Sequence, residues 1–242
     1  MRLKCIGCEV LARIIYLCAA QSPHIVDVAL LKRGLHNKPP DLREQLQQAI
    51  DSTGQNYDAV VLAYGLCGQA IAGLEAAQVP LVVPRAHDCI TLFLGSRERY
   101  ERQFENCPGT YWYAQDYIER DDGSGASLAM GSGSEADIEN VYDEYVRKYG
   151  QDNADYLMEV MGAWTTHYQR AVYIDMGVGD GAAVAAQAQA QAARRGWTFE
   201  TIAGDMVLIR RLLNGDWAND FLVVPPGQQI RMTYDESIIG RA

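Results

Sequence analysis

"YDAVVLAYGLCG", residues 57–68, decides how the chain is read. Its first half is a short apolar run of the kind that forms a strand covered on both faces. Its second half breaks into a turn in which Gly65 and Gly68 bracket Cys67. Glycines there let a ligand approach the backbone closely. A buried strand that runs into such a turn belongs to a parallel sheet whose loops carry the chemistry.

Working outward, the same unit recurs. Leu3 to Gly7 reads as a strand and Glu9 to Ala20 as a helix, with Val10, Ile14 and Leu17 at helical spacing. Ile25 to Leu31 is a second strand, ending in "RGLHN", and Asp41 caps a helix through Ile50. After residue 68, Ala70 to Ala76 reads as a short helix, "VPLVVPRAHDC" as a fourth strand, and Ile90 as the start of a helix. The middle differs. "NCPGTYWYAQDYIE" is aromatic and turn-rich, and "RDDGSGASLAMGSGSEAD" is Gly/Ser-rich, a lid or an ordinary surface loop across 121–137. Helices are expected over Glu135–Tyr149 and Ala154–Tyr168. Strands at Ala171–Met176, Thr198–Ile202 and Phe221–Val224 then alternate with helices at Ala182–Arg195 and Asp205–Leu213. The expected fold is α/β, a parallel sheet with flanking helices. It divides into an N-terminal unit (1–106) carrying the Cys/His site, a loop and helical insertion (107–170), and a similar C-terminal unit (171–242).

Charge and composition narrow the function. The formal net charge of −10 opposes nucleic acid and anionic membrane surfaces. In "MRLKCIGCEVLARIIYLCAA", Glu9 and Arg13 interrupt what would otherwise resemble a secretory signal. No apolar run approaches the roughly 18 residues of a membrane span, so a cytoplasmic protein is expected. The six cysteines of such a chain are buried, metal-bound or reactive rather than paired in disulfides.

The carboxyl ends of parallel strands share one edge, where ligands bind. The four N-terminal strands bring to it Cys8 with Glu9, then His36, then Cys67, then His87 and Cys89. Cys8 and Cys67 each precede a helix, whose N-terminus favours thiolate. Three converging thiolates repel one another unless a cation binds them. Cys8, Cys67, Cys89 and His87 are therefore the expected metal ligands, with His36 as a rival nitrogen. Cys3His suits zinc, and three cysteines alone suit a [4Fe–4S] cluster with one open iron. Glu9, His36 and Asp88 are candidates for acid/base work. Arg85, Ser96, Arg97, Gly65 and Gly68 are candidates for binding substrate, Arg97 as an anion clamp. Ser96 also reads as a helix cap.

A second loop competes. "VYIDMGVGDGAA", residues 172–183, resembles the first motif of S-adenosylmethionine-dependent methyltransferases, with Asp175, Gly177 and Gly179 as weak cofactor-binding candidates. Only 61 residues follow Gly181 (242 − 181), too few for the strands that fold needs after its loop. A tight turn and close helix packing are the other reading of these glycines.

"CEVL", "LHN–P", "YGLCG", "PRAHDCITLFLGSRERY" and "PGTYW" together resemble the uncharacterised DUF1638 family, strongly over residues 5–118 and loosely beyond. That family is often encoded near corrinoid-dependent methyl-transfer systems, so the resemblance implies a one-carbon context and a corrinoid protein as a partner. "HDC" with a distant cysteine is also similar to the zinc site of enzymes that methylate thiols. The expectation is a zinc-thiolate or Fe–S protein of methyl-transfer metabolism, acting on a small molecule. The alternatives are an accessory that holds a cofactor or reactivates a corrinoid system, and a metal-free α/β binding module.

Overall fold

The structure, a computed structural model, describes residues 1–67, 69–120, 151, 168–233, 235 and 237–242, apart from the side chains of 36 and 37. The helix expected over Glu135–Tyr149, that over Ala154–Tyr168 apart from Tyr168 itself, and the 121–137 loop lie outside these residues.

Apolar, β-branched runs make the central strands. β1 (Arg2–Cys8), β2 (Ile25–Leu31), β3 (Ala59–Ala63) and β4 (Leu81–Pro84) run parallel in one sheet. Every residue of β3 and β4 is buried, which is why neither shows a polar–apolar alternation. A fifth strand, β8 (Phe221–Val224), pairs with β4 and gives the order β2-β1-β3-β4-β8. It is antiparallel, with Pro84 opposite Phe221. The expected parallel sheet is thus present in four strands, with β8 added antiparallel at its edge.

A second sheet is parallel throughout, in the order β5-β6-β7: β5 (Thr110–Ala114), β6 (Arg170–Asp175) and β7 (Thr198–Ala203). β5 falls in the aromatic stretch read as turn-rich. All five of its residues are buried, so bulk and β-propensity outweigh the flanking Pro-Gly signal. A short hairpin, β9 (Ile230–Met232) with β10 (Ile239–Arg241), closes the chain.

Seven α-helices flank the sheets among the described residues: α1 (Ala12–Gln21), α2 (Pro39–Asp51), α3 (Cys89–Leu94), α4 (Arg97–Asn106), α5 (Gln115–Glu119), α6 (Ala182–Arg195) and α7 (Val207–Leu213). Short 3-10 turns, Glu9–Leu11 and Arg33–Asn37, leave the ends of β1 and β2. α1 and α7 touch each other and pack across β1 to β4, while α6 covers the second sheet. Two local readings are corrected. Prolines 39 and 40, not Asp41, open α2, because proline at the first helical positions loses no hydrogen bond. Residues 70–76 form turns that tie to the hairpin strand, Gly73 N–H donating to Ile230 O at 2.7 Å.

The order of the first sheet positions the site. The chain steps from β1 outward to β2, then returns to the other side of β1 for β3. The crevice between the ends of β1 and β3 is where open α/β sheets bind ligands.

Candidate functional site

Cys8 ends β1 and Cys67 sits four residues beyond β3, so the two thiols straddle that crevice. Cys89 begins α3, just past β4. All three are free thiols; Cys8 and Cys67 are buried and Cys89 half-buried.

The turn carrying Cys67 is built under constraint. Cys67 has φ of 46° and Gln69 of 72°, left-handed conformations that side chains rarely adopt. Leu66 N–H donates to Ala86 O at 2.8 Å and Cys67 N–H to His87 O at 3.2 Å, so this turn is laced to the loop holding Cys89. Gly65 permits that contact: a Cβ there would lie 2.6 Å from the Asp88 backbone. Asp88 is buried and caps α3, accepting from Thr91 N–H at 3.1 Å.

The thiols lie close enough for each one's charge to bear on another. Burial pushes Cys8 up to about 12, against hydrogen bonds from Val10 and Tyr64 and the Arg33 charge that pull it down. Cys67 is raised first by burial, then by Cys8 and Asp88. Cys89 is raised first by burial, then by Asp88, Cys67 and Cys8. Burial also raises Asp88, although the Thr91 N–H and the Tyr100 hydroxyl oppose it.

Four residues that the motif reading missed complete the surroundings. Arg33, only 3% exposed, donates from Nη1 to Tyr117 O at 2.9 Å, and its guanidinium lies 4.7 Å from the Tyr117 ring centre. Glu9 fixes that residue by accepting from the Arg33 backbone N–H at 2.7 Å. Tyr64 is hydrogen-bonded to Cys8, and Tyr100 to Asp88. Tyr117 belongs to α5, beyond β5, and feels the charges of Cys89 and Cys8. The helix after the second sheet's first strand thus brings a tyrosine within electrostatic reach of the thiols. Buried aromatics near one end of a run of motifs were the only signal in the letters.

The remaining candidates are dispersed. His87 is exposed, although its carbonyl holds the Cys67 turn. His36's side chain and Gly68 lie outside the described residues. Ser96 caps α4, accepting from Arg99 N–H at 3.0 Å, and donates to Glu98 at 2.7 Å. Arg85 and Arg97 face a cleft beside β8. Asp175, exposed, is the last residue of β6 and accepts from Gly177 N–H at 2.9 Å. Gly179 and Gly181 are pressed by Arg13, Gln115 and Tyr173, which is the close packing expected of small residues.

The family described as Protein of unknown function (DUF1638) matches residues 30–213, about three quarters of the chain. The chain belongs to the DUF1638 family. The matched region includes Cys67, His87 and Cys89 and begins after Cys8. No curated protein matches the chain, and no solved structure does. No helix among the described residues is long and apolar enough to cross a membrane.

A metal was expected here, and the donors can be weighed. Among the described residues, no three of His, Cys, Asp and Glu already stand in a metal-holding arrangement. The kind of donor fits nonetheless. Three free thiols follow three strand ends within electrostatic reach of one another, and burial favours their neutral form. Ligation asks them to draw together from this arrangement.

Proposed function

We propose that this DUF1638 protein is a soft-metal thiolate protein, with Cys8, Cys67 and Cys89 as the ligands. One observation carries the reading: three free thiols follow the ends of β1, β3 and β4 within electrostatic reach of one another, two of them beside the switch point of the sheet and one held in a left-handed turn. Thiols in such a place are more than core filling, because a backbone strain of about 1 kcal/mol or more persists only where the surroundings enforce it. Zinc or an Fe–S cluster would supply the positive charge that converts the thiols to thiolates and an electrophilic centre for substrate.

The chain's own residues then have defined tasks. Arg33 provides a fixed positive charge beside Cys8. Glu9 holds Arg33 in place through its backbone. Tyr64 donates to Cys8, and Asp88 anchors the start of α3 so that Cys89 faces the other two. Tyr117 and Tyr100 shield the thiols from water. Within one-carbon metabolism, this arrangement suits binding a sulfur or methyl-bearing small molecule, or holding a cofactor for a corrinoid partner.

The test is anaerobic purification with zinc and iron measured per chain and a visible spectrum recorded. About one zinc, or iron with broad absorption near ~400 nm, supports the reading if it is lost in Cys67→Ala and in Cys89→Ala. A protein that holds no metal and takes up neither added zinc nor reconstituted iron overturns it.

A further inference from the structure

The turn after β3 is held from two sides. Toward the core, Leu66 and Cys67 donate to Ala86 and His87, and Gly65 lies against the Asp88 backbone. Those contacts fix the start of the turn. Beyond Cys67, Gln69 is exposed and takes a second left-handed conformation, φ of 72°. Its own preference opposes that conformation, so something must hold it.

The outer hold comes from α2, the helix between β2 and β3. Its core face is Leu42, Leu46 and Ile50. Arg43, half-buried beside that face, reaches the turn with its side chain. Its Nη2 donates to Gln69 O at 2.8 Å and its Nε to Ala70 O at 3.3 Å. The two carbonyls belong to consecutive residues, and one planar guanidinium spans both. Ala70 N–H donates to Cys67 O at 3.3 Å. The Gln69–Ala70 peptide thus gives its N–H to Cys67 and its C=O to Arg43. A planar peptide ties the directions of these two groups together, so holding one orients the other. Gln47, one helical turn further along α2, makes a different tie. It exchanges two hydrogen bonds with the Glu75 backbone, at 2.9 and 3.1 Å.

We propose that Arg43 is a positioning residue for the thiol of Cys67. It acts through the Gln69–Ala70 peptide. With the fork in place, the left-handed turn keeps Cys67 buried beside the crevice. Without it, Gln69 relaxes to negative φ and the turn opens. The consequence for metal binding rests on the thiolate reading above; the hold on the turn does not.

Two readouts on the full chain test this, and the first needs no metal. In the metal-free native protein, iodoacetamide followed by mass spectrometry gives the alkylation rate of each thiol. Arg43→Met keeps the apolar stem and removes the fork. It should raise the Cys67 rate about tenfold or more, because the thiol reacts from the opened turn, while Cys8 stays as slow as in the wild type. Arg43→Lys reaches one carbonyl at a time and should fall between the two. Gln47→Leu loosens α2 from Glu75 and should leave Cys67 unchanged. Circular dichroism checks each fold, and Arg43→Lys decides if Arg43→Met does not fold. The second readout is zinc affinity, by competition with a chromophoric chelator. Arg43→Met should weaken it about tenfold or more, the size usual for a group that acts behind a ligand. An unchanged Cys67 rate, or an equal rise at Cys8 or in Gln47→Leu, overturns the proposal, because Arg43 would then only dock α2. Equal zinc affinity in wild type and Arg43→Met overturns the link to ligation. A wild type that takes up no zinc counts against the metal reading instead, and the alkylation rates still decide the role of Arg43.

Discussion

Two glycine-bearing loops leave the carboxyl ends of strands, and they are built in opposite ways. In the turn after β3, non-glycine residues take the left-handed conformation, Cys67 at 46° and Gln69 at 72°, while Gly65 is used for its lack of a side chain. In the loop after β6, glycines themselves take positive φ, Gly177 at 64° and Gly179 at 84°. The first turn is buried against the Asp88 loop; in the second, nothing lies within 4 Å of a Cβ placed on Gly177. A count of glycines favours the second loop as a ligand cradle. Burial and strain favour the first. Glycine at a left-handed position is simply the relaxed choice, whereas a cysteine there needs a reason.

The largest expected effect concerns the buried side of this contrast. Cys8 is pushed from about 9 to about 12 by burial. At pH 8 the metal-free native protein should therefore alkylate at Cys8 roughly a thousandfold more slowly than the urea-unfolded chain, since only thiolate reacts. The rate should climb tenfold per pH unit toward 12. Stability follows the same sign: it is fully present below about 9, where folded and unfolded thiols are both protonated, and is lost as pH rises from there through 12. Mass spectrometry of iodoacetamide-treated samples reads the first, and urea midpoints across pH read the second. Native alkylation at the unfolded rate would mean that the crevice is open to water.

Next in size is Gly65→Ala. The added methyl would meet the Asp88 backbone at 2.6 Å, where neither side can yield as a flexible side chain would. A loss of about 3 kcal/mol is expected, or roughly 10 °C in Tm. A third comparison isolates strain. Cys67→Ala and Cys67→Gly both remove the sulfur, but only glycine relaxes at φ of 46°. Cys67→Gly should be the more stable by about 1 kcal/mol. If alanine proves the better replacement, the left-handed turn is not strained and the contrast between the loops weakens.

Much of the fold was legible because its signals are local. β2, α6 and β8 fall where hydrophobic runs and periodicity placed them, since each stretch's own residues decide it. The direction of β8 was not legible: whether a strand runs parallel or antiparallel depends on its partner, and β4 lies more than 130 residues earlier (221 − 84 = 137). "TYWYA" hid as a strand because full burial removes the alternation that would mark it. The thiols were legible as residues at strand ends. Arg33, Tyr64, Tyr100 and Tyr117 were not, because packing between the two sheets and their loops brings them there. Residues 70–76 read as a short helix, but Gly73 at φ of 86° and the tie to Ile230 form turns instead.

The smallest effect belongs to the exposed loop, and it is the control for the others. Gly177→Ala adds a methyl that touches nothing, so only backbone conformation opposes it. A left-handed alanine costs about 1 kcal/mol, and the stiffer unfolded chain offsets roughly half of that. A net loss near ~0.5 kcal/mol and a Tm change of about 2 °C are expected. The alkylation pattern of Cys8, Cys67 and Cys89 should not change, because the loop lies beyond β6 in the other sheet. A loss as large as that of Gly65→Ala would show that Gly177 is packed by something outside the described residues. The loop after β6 would then be as constrained as the turn after β3, and burial would no longer distinguish them.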